Sequence, residues 1–201
     1  MKCSLFLLVG GLLVFLLSGC AVNGELRIRN RTASDLYASV DNSEPWQMVA
    51  WANRSQFYPE NKTVEISYIG DYVFPNSISI EVRQNLVKTF DISPDGGAIK
   101  FFNDSGDTVL NEIFISPSDD PSWGGNDLSG NLAPADSTLW TVTEGIWDVK
   151  VLDSNQNVHY LYEREVVANQ TLRLNFSTFN KGEKGKDELK KLHRDATLKK
   201  D

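Results

Sequence analysis

One irregular segment of the chain, residues 116–127, carries the side chains best suited to binding a metal ion. Carboxylate and amide oxygens are the ligands that Ca²⁺ prefers, and the segment supplies Asp119, Asp120, Asn126 and Asp127. Their spacing is not that of an EF-hand loop, and turns favour the same residue types. The segment therefore predicts either a calcium site or an ordinary loop shaped by Asp and Asn side chains. No other cofactor is expected.

Residue types that catalyse reactions are sparse in this sequence. A Ser-His-Asp site needs a histidine that is held by a carboxylate and faces a nucleophile. Of the two histidines, His159 lies in a strand-like stretch and His193 lies near the C-terminal end, and no Gly-x-Ser-x-Gly turn is present. Paired carboxylates can still come from distant strands, so an unrecognised hydrolase is a third possibility. We expect a protein without enzymatic activity and without catalytic residues.

Tryptophan side chains are the other candidates for ligand binding. Exposed aromatic rings on loops can stack on sugar rings. Trp46 and Trp51 lie in a segment without a clear strand register, and Trp123 precedes two glycines. These three residues form the predicted ligand surface. The alternatives are core packing for the first two and a plug over the end of a sandwich for Trp123. Trp147 alternates with two valines and is expected in the core.

Five stretches alternate apolar and polar residues with the period of two that is typical of half-buried strands. They cover residues 26–31, 64–68, 78–83, 147–151 and 172–176. Clusters of Asp, Asn, Ser, Gly and Pro between them are typical of turns. No stretch before residue 181 has a convincing helical period. The pattern predicts an all-β protein made of immunoglobulin-like antiparallel β-sandwich units.

Two features of the sequence recur at nearly constant offsets. Asn30 begins an Asn-x-Thr turn after an apolar strand, and Asn103 begins an Asn-x-Ser turn 73 residues later. Pro59 and Pro134 precede similar strands at an offset of 75 residues. These offsets indicate an internal repeat of two tandem sandwich units.

The predicted domains follow from this repeat. Residues 1–19 precede the first unit at residues 20–95, and a second unit covers residues 98–180, with the junction at the glycine pair between them. One continuous sandwich is the alternative. Residues 181–201 form a short basic tail that is flexible or weakly helical, since isolated helices of this length are marginal in water.

The N-terminal residues have the features of a bacterial export signal. A lysine precedes an apolar run at residues 5–17, which is shorter than the about 20 residues needed to cross a bilayer and fits a secretory signal peptide. Residues 17–20, Leu-Ser-Gly-Cys, resemble the lipobox of bacterial lipoproteins. The resemblance implies cleavage after residue 19 and attachment of lipid, such as palmitate, to Cys20.

A lipidated Cys20 has consequences for localisation. Several acyl chains on one residue give stable anchoring, so the protein is expected to be anchored to a membrane in the bacterial cell envelope rather than to span it. The next residue is Ala21, which does not resemble the aspartate of inner-membrane retention signals. The outer membrane is therefore favoured if the organism has one.

The second half carries a further resemblance, over residues 99–176. It contains an Asn-x-Ser-Gly turn at Asn103, a Ser-Pro pair at 116–117, a Trp-Gly pair at 123–124 and a Trp-Asp-Val-Lys-Val strand at 147–151. This pattern resembles a small β-sandwich module that is repeated in bacterial secreted proteins and lipoproteins. The resemblance implies a fold and no particular activity. The first half lacks the Trp-Gly pair.

The distribution of charge excludes one class of partner. Residues 20–180 contain 11 Lys and Arg against 22 Asp and Glu, whereas residues 181–201 contain 8 against 5. An acidic body repels phosphate, so no nucleic acid is expected. The basic tail can attract anionic lipid.

These observations predict a non-catalytic protein-interaction or adhesion-type module, bound to the membrane through its lipid anchor. Its expected partner is an envelope or secreted protein. The alternative is a glycan or cell-wall binding module that uses exposed tryptophans.

Overall fold

The computed structural model describes residues 22–182. The predicted signal peptide, Cys20 and residues 183–201 of the predicted tail therefore lie outside the described residues. Within the described range, no helix is long and apolar enough to cross a membrane.

A single 3-10 turn, Phe176–Thr178, interrupts a succession of strands in the described residues. The strands are β1 (Gly24–Asn30), β2 (Leu36–Val40), β3 (Trp46–Met48), β4 (Asn53–Tyr58), β5 (Lys62–Gly70), β6 (Val73–Val82), β7 (Val87–Ile92), β8 (Gly97–Phe102), β9 (Leu110–Pro117), β10 (Ser137–Val142), β11 (Gly145–Asp153), β12 (Val158–Val166), β13 (Thr171–Asn175) and β14 (Asn180–Lys181).

Strands β1 to β7 form the first sandwich unit. One sheet has the order β4-β1-β7 and the other the order β3-β2-β5-β6. In the smaller sheet, β1 runs antiparallel to β4 and parallel to β7. Side chains from both sheets, among them Leu26, Ile28, Val64 and Ile66, form one buried cluster. The two sheets therefore pack face to face around a single core.

Strands β8 to β14 form a second unit with the same plan. Its sheets have the orders β10-β8-β13 and β14-β12-β11-β9, and β8 runs antiparallel to β10 and parallel to β13. Phe101, Ile113 and Val151 belong to its separate buried cluster. The prediction of an all-β protein made of sandwich units is confirmed, with one parallel strand pair in each unit.

Alternation places the side chains of β1, β2 and β5 as expected, whereas Ile78 of β6, predicted on the apolar face, is 39% exposed. Val64 and Ile66 are fully buried while Glu65 is exposed. Strand β11 departs from this rule, because the register shifts between Trp147 and Val149. Asp148 is consequently buried next to Val149, and Trp147 is only half-buried.

The final strand closes the second unit. Tyr160 of β12 pairs with Asn180, and His159 pairs with Lys181. Phe179, just before β14, is buried in the second core. Lys181, which the sequence assigns to the tail, thus lies in a strand of the second unit.

Hydrogen bonds connect the two units. The carbonyl oxygen of Tyr72 accepts from the backbone N–H groups of Asp95 and Gly96, and the Tyr72 hydroxyl lies 2.8 Å from that of Thr171. The hydroxyl of Thr141 donates to the carbonyl of Asp71 over 3.1 Å. The glycine junction is therefore a site of close packing and not an open linker.

Candidate functional site

Of the predicted tryptophan pair, one ring is packed and one is exposed. Trp46 is half-buried against the first core, and the guanidinium of Arg54 lies 4.4 Å from its ring centroid. Trp51 is 57% exposed and has a positive φ of 63°, in a turn where the Ala52 N–H donates to the carbonyl of Val49. Trp51 is thus the member of the pair that can meet a ligand.

Trp123 covers a face of the second unit. Lys150 of β11 pairs with Phe114 on one side and with Tyr160 on the other, so the three side chains form one row across the sheet. The Trp123 ring lies 6.0 Å from that of Tyr160 and 6.2 Å from that of Tyr162. The expected plug over the sandwich end is therefore a cover over the outer face of the four-stranded sheet.

The ammonium of Lys150 lies within this aromatic cover. Its Nζ atom is 4.0 Å from the Phe114 ring centroid and 5.3 Å from that of Trp123. A cation above an aromatic face is attracted by the ring quadrupole. This attraction, together with ring contacts, stabilises the loop against the sheet.

Asp148 ties the same loop to the strands. Its Oδ1 atom accepts from the Ser118 hydroxyl at 2.6 Å and from the backbone N–H of Glu163 at 2.8 Å. Glu163 has a positive φ of 56°, which is uncommon for a residue with a side chain. The buried carboxylate therefore holds the start of the covering loop and the irregular part of β12 together.

The four candidate calcium ligands are engaged in loop structure or point to solvent. Asn126 Oδ1 accepts from the backbone N–H groups of Ile113 and Leu128, and Asp127 Oδ2 accepts from that of Ile115. Asp120 Oδ1 accepts from the N–H and the hydroxyl of Ser122, and Asp119 is exposed. No group of three or more His, Cys, Asp or Glu side chains able to hold a metal ion occurs within residues 22–182. Calcium binding stays a prediction.

His159 is held by an acid, as a catalytic histidine would be. Its Nε2 atom lies 3.0 Å from Oδ2 of Asp153, and its ring packs edge-on against Phe176 at 4.8 Å. Burial raises the pKa of Asp153, but hydrogen bonds from His159, Asn157 and two backbone N–H groups outweigh burial and lower the pKa to about 2. These contacts give the pair a structural role where β11 turns into β12.

Within residues 22–182, the outer face of the four-stranded sheet in the first unit is left exposed. Tyr37 of β2 pairs with Ile69 of β5, and the two side chains are 52% and 49% exposed. They border a shallow groove of about 540 Å³. The ten lining residues include no Lys, Arg, Asp or Glu: Tyr37, Ala38, Ser39, Pro45, Ser67, Tyr68, Ile69, Pro75, Asn76 and Ser77. We call this surface the open face.

The open face corresponds to the covered face of the second unit. Both lie on the outside of the four-stranded sheet, and among the described residues the covering loop, which carries Trp123, lies above the second. A signal for the open face was present in the sequence, because Tyr37 and Ser39 alternate with Leu36, Ala38 and Val40. The buried members of this strand are the latter three, so Tyr37 points away from the core.

Comparison with known proteins finds distant structural likenesses. No protein-family model matches the sequence, and no curated protein matches it either. The structure is similar to that of the Bacillus anthracis TIE protein, with a TM-score of 0.30 and 12% identity, over 77% of this chain and 33% of that one. The chain thus spans about a third of the length of that protein. A DUF3823 family protein from Bacteroides ovatus has a TM-score of 0.26 and 13% identity, over 71% of this chain and 97% of its own. Neither likeness indicates a function, and both resemblances drawn from the sequence stay predictions.

Proposed function

We propose that this chain is a bacterial lipoprotein, anchored through Cys20, that binds another envelope or secreted protein without catalysing a reaction. The observation that carries the proposal is the open face of the first unit. Its apolar side chains stand out from the sheet, whereas the equivalent face of the second unit is covered by its own loop. Two large apolar side chains exposed side by side on one sheet face, Tyr37 and Ile69, offer a surface on which a partner can pack.

The chemistry of the open face favours a protein partner. Tyr37 and Ile69 offer aromatic and aliphatic contact, and tyrosine is enriched at protein interfaces because its ring is apolar and its hydroxyl can bind. Ser39, Ser67 and Ser77 line the same groove. The hydroxyl of Ser67 donates to that of Ser77 at 3.1 Å, and the hydroxyl of Ser77 donates to the carboxylate of Glu65 at 2.7 Å. The lining itself contains no charged residue, which favours apolar contact over recognition by charge.

The second candidate function is glycan binding, and Trp51 is the observation in its favour. Its ring is more than half exposed and lies in a turn of fixed geometry. A sugar ring can stack on such a side chain. The Trp51→Ala variant should then lose any change in tryptophan fluorescence that wall polysaccharide induces, whereas Tyr37→Ala should keep it.

Photo-crosslinking in intact cells tests the main proposal. In one variant, a photoreactive amino acid replaces Tyr37. In the control variant, it replaces Arg173, an exposed residue of β13 in the second unit. We expect one defined envelope protein to be crosslinked from position 37 and not from position 173. Recovery of wall polymer alone, or equal products from both positions, would contradict protein binding at the open face.

The anchor is tested separately. The Cys20→Ser variant should leave the membrane fraction and should not incorporate radiolabelled fatty acid. A variant that still fractionates with membranes would overturn the lipoprotein assignment without affecting the crosslinking result.

A further inference from the structure

Exposed apolar side chains gather where the described chain begins. Val22 is 60%, Phe57 61%, Leu86 57% and Val87 56% exposed. We call these four residues the anchor patch. Large apolar side chains scattered singly over a surface are common, whereas four at one end of one sheet, where the chain enters the unit, need an explanation.

The backbone places the members of the anchor patch at one end of the sheet. Glu25 of β1 pairs with Phe57 of β4 on one side and with Val87 of β7 on the other, so Phe57 and Val87 share a row on the outside of the sheet with Glu25 between them. The carboxylate of Glu25 is held by Arg27 at 2.8 Å. The N–H of Glu25 donates to the carbonyl of Leu86 at 2.9 Å.

Val22 is fixed to the same end by two hydrogen bonds with one residue. Its N–H donates to Oδ1 of Asn85 at 3.0 Å, and its carbonyl accepts from the N–H of Asn85 at 3.0 Å. The chain therefore enters the first unit inside the anchor patch.

We propose that the anchor patch contacts the surface of the lipid bilayer that holds Cys20. This inference rests on the proposed lipidation of that residue. Two residues of extended chain span at most about 7 Å, so the backbone of Cys20 lies within about 7 Å of Val22. A tether of this length keeps the start of the first unit close to the lipid headgroups.

The short tether favours lipid over protein as the occupant. A helix or a packed sheet is about 10 Å thick, which is more than the about 7 Å that two residues can span. Aromatic and aliphatic side chains bind at the boundary between headgroups and acyl chains. The neighbouring charges are paired, since Arg83 contacts Glu81 at 2.8 Å, so the contact rests on the apolar side chains and not on attraction to anionic headgroups.

The experiment compares two valines of almost equal exposure. Val87 lies in the anchor patch, and Val49, which is 58% exposed, lies at the far end of β1, where its carbonyl accepts from Asn30. Either residue is replaced by cysteine and labelled with an environment-sensitive fluorophore. Labelling is selective, because Cys20 is acylated and Cys3 belongs to the removed signal. The lipidated proteins are reconstituted into phosphatidylethanolamine–phosphatidylglycerol vesicles, some with doxyl-labelled acyl chains.

We expect blue-shifted emission and quenching by doxyl lipid from position 87, and a water-like, unquenched signal from position 49. Water-like signals from both positions in a protein that floats with the vesicles would overturn the lipid contact and leave the anchor intact. A protein that does not float would overturn both, since the inference depends on the anchor. A blue shift at position 87 that rises with protein concentration without vesicles would identify a second copy as the occupant and overturn the proposal.

Discussion

Asn30 and Asn103 stand at equivalent places in the two units, since Asn30 is the last residue of β1 and Asn103 directly follows β8, and both are fully buried. Asn30 Nδ2 donates to the carbonyls of Ser34, Met48 and Val49, and its Oδ1 accepts from the N–H and hydroxyl of Thr32. Asn103 makes the equivalent contacts with two carbonyls and with Ser105. The side-chain amide of each asparagine thus forms hydrogen bonds both with the turn that follows the strand and with a loop distant in sequence.

Replacement of either asparagine by alanine should destabilise its unit by roughly 2–4 kcal/mol, because buried carbonyl and N–H groups lose their partners. Denaturant unfolding of Asn30→Ala and Asn103→Ala measures the change. Asn175→Ala is the matched control, since Asn175 is exposed and should cost less than about 0.5 kcal/mol. Equal stabilities for all three variants would contradict the role assigned to the buried amides.

Gly97 at the junction should not tolerate a side chain. A Cβ atom there would lie 2.5 Å from the carbonyl oxygen of Val167 and 2.6 Å from a methyl carbon of Val166. We expect Gly97→Ala to lower the free energy of unfolding by roughly 2 kcal/mol or more. Gly106→Ala serves as the control, because nothing lies within 4 Å of its Cβ position; that change should be neutral or slightly stabilising. A neutral Gly97→Ala variant would show that the junction is loosely packed.

Acid should remove a stabilising contribution from Asp153. Its pKa in the folded chain is about 2 against an ordinary 3.8, so the contribution is present above about pH 4 and is lost as the pH falls towards 2. The pKa difference corresponds to about 2 kcal/mol. The stability difference between the wild type and Asp153→Asn should therefore shrink over this pH range.

Asp91 provides the control for the acid experiment. Its pKa is lowered mainly by the hydrogen bond from Arg29, but its side chain is 40% exposed. Solvent screens such surface pairs, so the corresponding difference for Asp91→Asn should change much less. A difference for Asp153→Asn that stays constant from pH 4 to pH 2 would contradict the lowered pKa.

The covering role of Trp123 can be measured against an exposed tryptophan. Trp123→Ala should cost about 2 kcal/mol, roughly half of the loss for a fully buried aromatic ring, because contacts with Tyr160, Tyr162 and Lys150 disappear. Trp51→Ala should be close to neutral, since that ring is 57% exposed. Thermal or denaturant unfolding of both variants decides the point. If Trp51→Ala lost more unfolding free energy than Trp123→Ala, Trp51 would be the packed ring and the covering role of Trp123 would be wrong.

Strands with one buried face were predictable from the sequence, because alternation reports burial. Residues 64–68 and 78–82 lie in β5 and β6 as expected. Strand β4 was not predictable. It lies at the edge of its sheet, where five of its six residues are exposed, and its sequence therefore has no apolar period. The register shift in β11 was equally hidden, because nothing local indicates that Asp148 finds Ser118 and Glu163 inside the protein.

Candidate surfaces were harder to predict than strands for a physical reason. A tryptophan looks the same in a sequence whether a neighbour covers it or not, and Trp46 and Trp51 differ only through their contacts. The open face depends on the absence of a covering loop above one sheet within the described residues. Such a difference arises from tertiary packing, and only the missing Trp-Gly pair in the first half hinted at it.

The parallel pairing of β1 with β7 bears on how the molecule responds to tension. The register runs from Glu25 opposite Val87 to Asn30 opposite Ile92, so the entry to β1 and the exit from β7 lie at opposite ends of the strand pair. A force that stretches the chain between them slides the strands past each other and loads all six cross-strand pairs at once. Strand β8 meets β13 in the same way. Single-molecule pulling should therefore give high rupture forces for both units, since the geometry is one of shear and not of unzipping.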